Sequence, residues 1–161
     1  MQSLKRGAFT LMAGLLAAAL AHAEPAPHGP DPSTALLEAK QGPYALASTK
    51  VVSPSGYGAA TVFYPTVKSD APYGLVVLAP GFLLAQGYYA WLAERVASHG
   101  FVVVSLNTNS LFDSPDVRAP QLASALAQVL ALSQTATSPY SGQVNPGRLA
   151  LMGHSAGGGG P

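Results

Sequence analysis

One serine in the chain has the neighbours that make a nucleophile. Ser155 lies in Gly153-His154-Ser155-Ala156-Gly157, after the apolar run Leu149-Ala150-Leu151-Met152 and before further glycines to Gly160. Gly-x-Ser-x-Gly between a strand and a helix is the pattern of a nucleophile elbow, a sharp turn that lifts a serine Oγ clear of the backbone. The turn forces strained dihedrals on the serine, so its neighbours must be small. Gly153 and Gly157 leave room for strand and helix to approach. A helix starting at Ser155 aims its free N–H groups at any oxyanion that forms. The chemistry would be acyl transfer through a covalent serine ester. The bare motif arises readily among 17 glycines. Its context favours a nucleophile over a glycine-rich structural turn: Asn145-Pro146-Gly147 is a turn, 148–152 reads as a strand, and a small-residue helix start follows.

An oxyanion hole needs a second donor from another loop. Tyr73-Gly74-Leu75-Val76-Val77-Leu78-Ala79 is a continuous apolar run, as expected of a strand buried on both faces. Pro80 to Gly87 follows it, and loops at strand carboxyl ends line the ligand crevice of open α/β sheets. The α/β-hydrolase pattern takes one N–H from such a loop and one from the residue after the nucleophile. These are assigned to Phe82 and Ala156. Both donate through the backbone, so the Phe82 ring is free to shape a pocket or to cover core.

The remaining elements must hold these two loops in place. Ala45 to Val52 and Gly58 to Tyr64 read as strands joined by the turn Ser53-Pro54-Ser55-Gly56, with Pro65 stopping the second. Tyr88 to Ser98 reads as a helix whose apolar face is Tyr88, Leu92 and Val96, with Trp91 beside it in the core. His99-Gly100 ends it, Gly100 in the left-handed position and His99 complementing the helix dipole. Phe101 to Leu106 is a further buried strand. Pro120 to Ser133 is a helix with Pro120 in its first turn and an apolar stripe of Leu122, Leu126, Val129 and Leu130. Thr135 to Gly147 is a loop. The fold class is therefore α/β: a mostly parallel sheet with an antiparallel N-terminal edge.

Asp113 and Asp116 lie at a strand end but precede the serine, the wrong order for this fold's acid. Asp116 and Arg118 are expected to fasten their loop to the next helix. His154 neighbours the nucleophile on a strand and so points away from it; it is expected to pack and hydrogen-bond within the elbow. His28, alone in a proline-rich stretch, is expected to be solvated. The sequence contains no dinucleotide-binding, phosphate-loop or metal-ligand motif, so neither cofactor nor metal is expected.

The 161 residues suit one domain, 48% hydrophobic and only 9% charged, against about a quarter in typical domains. Residues 1–23 read as a secretory signal peptide: Lys5-Arg6, the apolar Ala8 to Leu20, then Ala21-His22-Ala23. The apolar run is too short to span a bilayer as an anchor. Without residues 1–23, six basic residues face seven acidic ones, a net charge of −1. That makes no electrostatic case for nucleic acid or an anionic membrane. Residues 24–43 form a linker with prolines at 25, 27, 30, 32 and 43, in which only Ser33 to Lys40 could be helical, capped by Ser33. Residues 44–161 form the folded part. There is no cysteine.

At this level of detail the chain resembles the bacterial cutinases and polyester hydrolases, the polyesterase-lipase-cutinase group that includes poly(ethylene terephthalate) hydrolases. The resemblance rests on Gly42-Pro43-Tyr44, Gly56-Tyr57-Gly58, Val62-Phe63-Tyr64-Pro65, Pro80-Gly81-Phe82 and Ala90-Trp91-Leu92. It continues in Ala97-Ser98-His99-Gly100-Phe101, Asn107-Thr108-Asn109-Ser110, Ser114-Pro115-Asp116, Asn145-Pro146-Gly147-Arg148 and Gly153-His154-Ser155. It implies a secreted, monomeric serine esterase of α/β-hydrolase fold, without cofactor, acting on ester or polyester substrates. It implies Ser155 as nucleophile, the N–H groups of Phe82 and Ala156 as oxyanion hole, and Phe82 bordering a shallow cleft for acyl or aromatic ester groups. Ala156 stands where the family usually has methionine, removing one wall of the cleft. Leu83 and Leu84 replace more polar residues and make the mouth more apolar, with Leu83 counted among the substrate-binding residues. The family's catalytic Asp and His, a further cleft aromatic and a disulfide correspond to nothing in these residues, so the chain reads as the N-terminal portion of such an enzyme. A lipase or short-chain carboxylesterase of the same fold, or an inactive truncated hydrolase, are the alternatives.

Overall fold

The computed structural model of the protein describes residues 32–159. The signal-peptide reading of residues 1–23 and His28 lie outside the described residues. The chain runs α1 (Thr34–Glu38), β1 (Leu46–Lys50), β2 (Ala59–Pro65), β3 (Tyr73–Ala79), a 3₁₀ turn (Gln86–Tyr89), α2 (Ala90–Ser98), β4 (Phe101–Asn107), α3 (Pro115–Ser133), β5 (Val144–Gly153) and a 3₁₀ turn (Ser155–Gly157). The five strands form one sheet in the order β1-β2-β4-β3-β5. β1 and β2 pair antiparallel, as do β2 and β4; β4, β3 and β5 are parallel. This is the mixed α/β sheet with an antiparallel N-terminal edge that the element pattern implied.

Side-chain alternation along β3 divides the core into two layers. Leu75, Val77 and Ala79 face one cluster with Val102, Val104, Leu106 and the α3 residues Leu122, Ala125 and Val129. Val76 and Leu78 face the other, with Phe63, Val103 and the α2 residues Ala93 and Ala97. The crossover from β3 to β4 and the one from β4 to β5 run in opposite directions along the sheet. Crossovers of one hand must then lie on opposite faces. The connections after the adjacent strands β3 and β4 consequently part to different sides, which opens a crevice at their carboxyl ends.

Four expectations change. α2 buries Ala93 and Ala97, with Tyr89 before it, while Trp91 is 65% and Tyr88 68% exposed. The buried face of α2 runs along Ala93 and Ala97 beside the partly buried Leu92 and Val96, and Trp91 lies on the other flank of that stripe. Trp91 is therefore a surface residue, not core. α3 begins earlier, with Pro115 at its start, so Pro120 is interior to the helix. Pro65 closes β2 from within the strand rather than beyond it. β5 starts at Val144: Asn145-Pro146-Gly147 forms an irregularity inside it, between the pairs Tyr73–Val144 and Leu75–Leu149. The Asn145 side chain stabilises that irregularity by accepting from the Gly147 N–H at 2.9 Å. The caps are as expected: Ser33 Oγ accepts from Leu36 N–H, and Gly100 sits at φ +93° after His99.

Candidate active site

Ala79, Asn107 and Gly153 end β3, β4 and β5, and Ala79 is the register partner of Gly153. Three loops therefore leave the sheet side by side: 80–85, 108–114 and 154–157.

At the third, Ser155 has φ +53°, a left-handed conformation unusual for a residue with a side chain. The turn is closed by Gly157 N–H to His154 O at 2.9 Å and Gly158 N–H to Ser155 O at 2.9 Å. Strained dihedrals persist only where surroundings over-determine them, and the glycines do so. A Cβ on Gly153 would stand 2.1 Å from Gly157 O, and one on Gly157 would stand 2.5 Å from Pro80 O. Ser155 is exposed at the crest of this turn. His154 points away from it: its Nδ1 lies 2.8 Å from the Tyr89 hydroxyl. That is the elbow packing role the sequence suggested.

The first loop is a tight turn in which Leu84 N–H donates to Gly81 O at 3.1 Å. Its third residue, Leu83, takes φ +61°. In a trans peptide the C=O and N–H point in opposite directions. The Gly81 carbonyl faces into the turn, so the Phe82 N–H faces out. Among the described residues, neither the Phe82 N–H nor the Ala156 N–H has a protein acceptor. Unpaired backbone donors are costly when buried; beside an exposed serine they are available to an oxyanion. The two loops are in contact, since a Cβ on Gly81 would meet His154 Nδ1 at 3.0 Å.

Phe82 and Leu83 are each half exposed. The Phe82 ring does not cover core. It meets Phe112 of the second loop edge-on, centroids 5.9 Å apart at 80°. Phe112 is 70% exposed, and the sequence reading missed it. An aromatic in a loop at a strand carboxyl end was the available signal, but nothing local says which ring faces it. Together Phe82, Leu83 and Phe112 make an apolar lip.

The fastening of the second loop differs from the expected pair. Asp113, not Asp116, holds it: its carboxylate accepts from Ser110 N–H at 3.1 Å and from Gln121 Nε2 at 2.8 Å. Those hydrogen bonds, Gln121 first, hold the Asp113 carboxyl below the usual aspartate range. Asp116 lies in the first turn of α3, its carboxyl held low chiefly by the Ser114 hydroxyl. Arg118 is fully buried and donates to three backbone carbonyls, of Pro80, Leu111 and Asp113.

No group of acidic, histidine or cysteine side chains that could hold a metal occurs among the described residues. No helix among them is long and apolar enough to cross a membrane.

The sequence model of the PET hydrolase-like family matches residues 20–161. A bis(hydroxyethyl) terephthalate hydrolase of Streptomyces coelicolor is 46% identical over 138 residues, covering 84% of this chain and 43% of that protein. A cutinase of Thermobifida fusca is 42% identical over 156 residues, 95% of this chain and 50% of that protein. Cutinase 1 of Thermobifida cellulosilytica is 43% identical over 140 residues, 86% and 52%. The chain spans about half the length of the curated relatives it matches.

Proposed function

The chain belongs to the PET hydrolase-like family, and from that premise we propose that the intact protein is a secreted serine esterase that cleaves carboxylic esters through an acyl-enzyme. Ser155 Oγ attacks the ester carbonyl. The N–H groups of Phe82 and Ala156 receive the oxyanion, the alcohol leaves, and water releases the acid. The observation that carries this reading is the exposed, left-handed Ser155 beside two unpaired N–H donors at the ends of parallel strands.

The proton acceptor is a histidine, oriented by an acid, from the part of the intact protein that corresponds to the relatives' remaining length. In this fold both follow the serine, and His154 is committed to Tyr89. The substrate class is an apolar ester, with aromatic polyesters and their small esters foremost. The exposed lip of Phe82, Leu83 and Phe112 supports this, as does the likeness to a terephthalate-ester hydrolase. Secretion rests on the leader pattern of residues 1–23.

The test is ester hydrolysis by the intact protein and by Ser155→Ala, on p-nitrophenyl butyrate, bis(hydroxyethyl) terephthalate, a long-chain triglyceride and polyester film. The expected result is loss of ~10⁴-fold or more in turnover in the variant, at unchanged melting temperature. Retained hydrolysis in Ser155→Ala removes the assignment. Preference for the triglyceride, or for the butyrate alone, redirects it to a lipase or a short-chain carboxylesterase.

A further inference from the structure

Arg118 is the one fully buried charged side chain among the described residues, and the proposed chemistry does not use it. No carboxylate there hydrogen-bonds to it, although the Asp113 carboxylate lies near enough for the two charges to attract. Its guanidinium is satisfied by backbone carbonyls alone: Nη1 donates to Pro80 O at 2.8 Å, Nε to Asp113 O at 2.8 Å and Nη2 to Leu111 O at 3.2 Å. Burying a cation whose nearest carboxylate does not hydrogen-bond to it is expensive. An apolar residue would fill the same space without that cost, so the arrangement calls for a reason beyond packing.

The three acceptors supply one. Pro80 begins the loop that carries Phe82, while Leu111 and Asp113 belong to the loop that carries Phe112. Leu111 O also accepts from Leu83 N–H at 2.9 Å. The Pro80–Gly81 peptide is gripped at both ends, its oxygen by Arg118 and its Gly81 N–H by the Tyr89 hydroxyl at 3.3 Å. The next peptide along carries the Phe82 N–H. Pro80 O is also the atom that Gly157 packs against, one residue after Ala156. Both proposed oxyanion donors therefore take their positions from a carbonyl that Arg118 holds.

We propose that Arg118 is a positioning residue that fixes the oxyanion hole, clamping the Phe82 loop to the Phe112 loop through three carbonyls, one of which, Pro80 O, is the atom the elbow's Gly157 packs against. A planar fork with five donors can reach three carbonyls in different directions at once. A lysine ammonium occupies one point and cannot hold the same three. The role rests on the esterase reading, and it acts on the transition state, because a ground-state carbonyl oxygen lies short of where the oxyanion forms.

The test compares Arg118→Lys, Arg118→Gln and a control, Val129→Ala, in the intact protein. Val129 is fully buried on the same helix and away from the three loops, so its variant loses stability without touching the site. Melting temperature, kcat, KM for bis(hydroxyethyl) terephthalate and the rate of Ser155 labelling by a p-nitrophenyl phosphonate are measured well below each melting temperature. The expected signature for Arg118→Lys is a fall of ~10–10²-fold in kcat with KM within about threefold, and phosphonate labelling slowed in proportion. Val129→Ala should keep the parent kcat at lower melting temperature. An Arg118→Lys or Arg118→Gln protein with parent kcat, or with only KM raised, overturns the positioning role. Failure of both Arg118 variants to fold overturns it too, by making the residue one of folding alone. Loss of the esterase reading itself would appear separately, as hydrolysis surviving in Ser155→Ala.

Discussion

Adding one methyl group at Gly153 tests the elbow most directly. A Cβ there would lie 2.1 Å from the oxygen and 2.2 Å from the carbonyl carbon of Gly157, and 2.5 Å from the Gly158 nitrogen. All three are backbone atoms, so no side chain can swing aside. Reaching ordinary contact requires the 155–158 turn to retreat by about 1.3 Å from the end of β5. It cannot retreat freely, because Gly157 is itself packed against Ala79 O at the end of β3 and Pro80 O just past it. Overpacking of this kind costs about 1–3 kcal/mol, and each kcal/mol lowers the melting temperature by about 2–4 °C in a domain of this size. The catalytic consequence is larger than the stability one. Displacing a nucleophile by about 1 Å costs ~10²-fold in turnover. The assay is thermal unfolding with ester kinetics on Gly153→Ala and Gly157→Ala. Gly87→Ala is the control, since its Cβ would meet nothing within 4 Å. Gly87→Ala should match the parent within about 0.5 kcal/mol. If Gly153→Ala also matched it in melting and turnover, the tight elbow would be wrong as the means of presenting Ser155.

The aromatic lip predicts a change in substrate preference. Phe112→Ala should raise KM for a terephthalate ester more than for an acetate ester, by roughly 2–10-fold, the worth of one ring contact. In a double-mutant cycle with Phe82→Ala the two changes should be non-additive, because the rings touch; additive effects would mean the rings act separately. A third expectation concerns alkaline pH. Burial, then the hydrogen bond and charge of Asp70, push the Tyr44 phenol up to about 12 from its ordinary 10.0. Burial first, then Tyr140, push Tyr57 up to about 12. Folded-state values above the unfolded ones mean this stabilisation is complete below about pH 10 and is lost as pH rises toward 12. Urea midpoints should therefore fall between about pH 10 and 12, and fall less in Tyr44→Phe. Equal slopes in parent and variant would count against the assignment.

Much of the site was legible because it is written locally. Backbone sterics at the elbow need Gly153 and Gly157 within five residues of each other, and that spacing is visible without any fold. Tyr73 to Ala79 reads as a buried strand because parallel strands covered on both faces lose their polar alternation. His99-Gly100 reads as a helix end because a left-handed position favours glycine. The misreadings sit where distance in sequence matters. The periodicity that put Trp91 in the core chose the wrong flank of the Leu92–Val96 stripe: α2 buries Ala93 and Ala97 on the other side of it, which leaves Trp91 facing out.

The sequence by itself determined the extents of β3 and, to within a residue, β4, the turn that presents Ser155 and the loop that carries the Phe82 N–H. Each depends on hydrophobic period or on dihedral preference within a few residues. The tertiary structure alone decided the strand order β1-β2-β4-β3-β5, the meeting of Phe82 with Phe112, the choice of Asp113 over Asp116 as the loop's fastening, and the three carbonyls around Arg118. Those contacts arise where crossovers on opposite faces of the sheet bring separate loops together. Which loops meet is a property of the assembled sheet, not of any one segment.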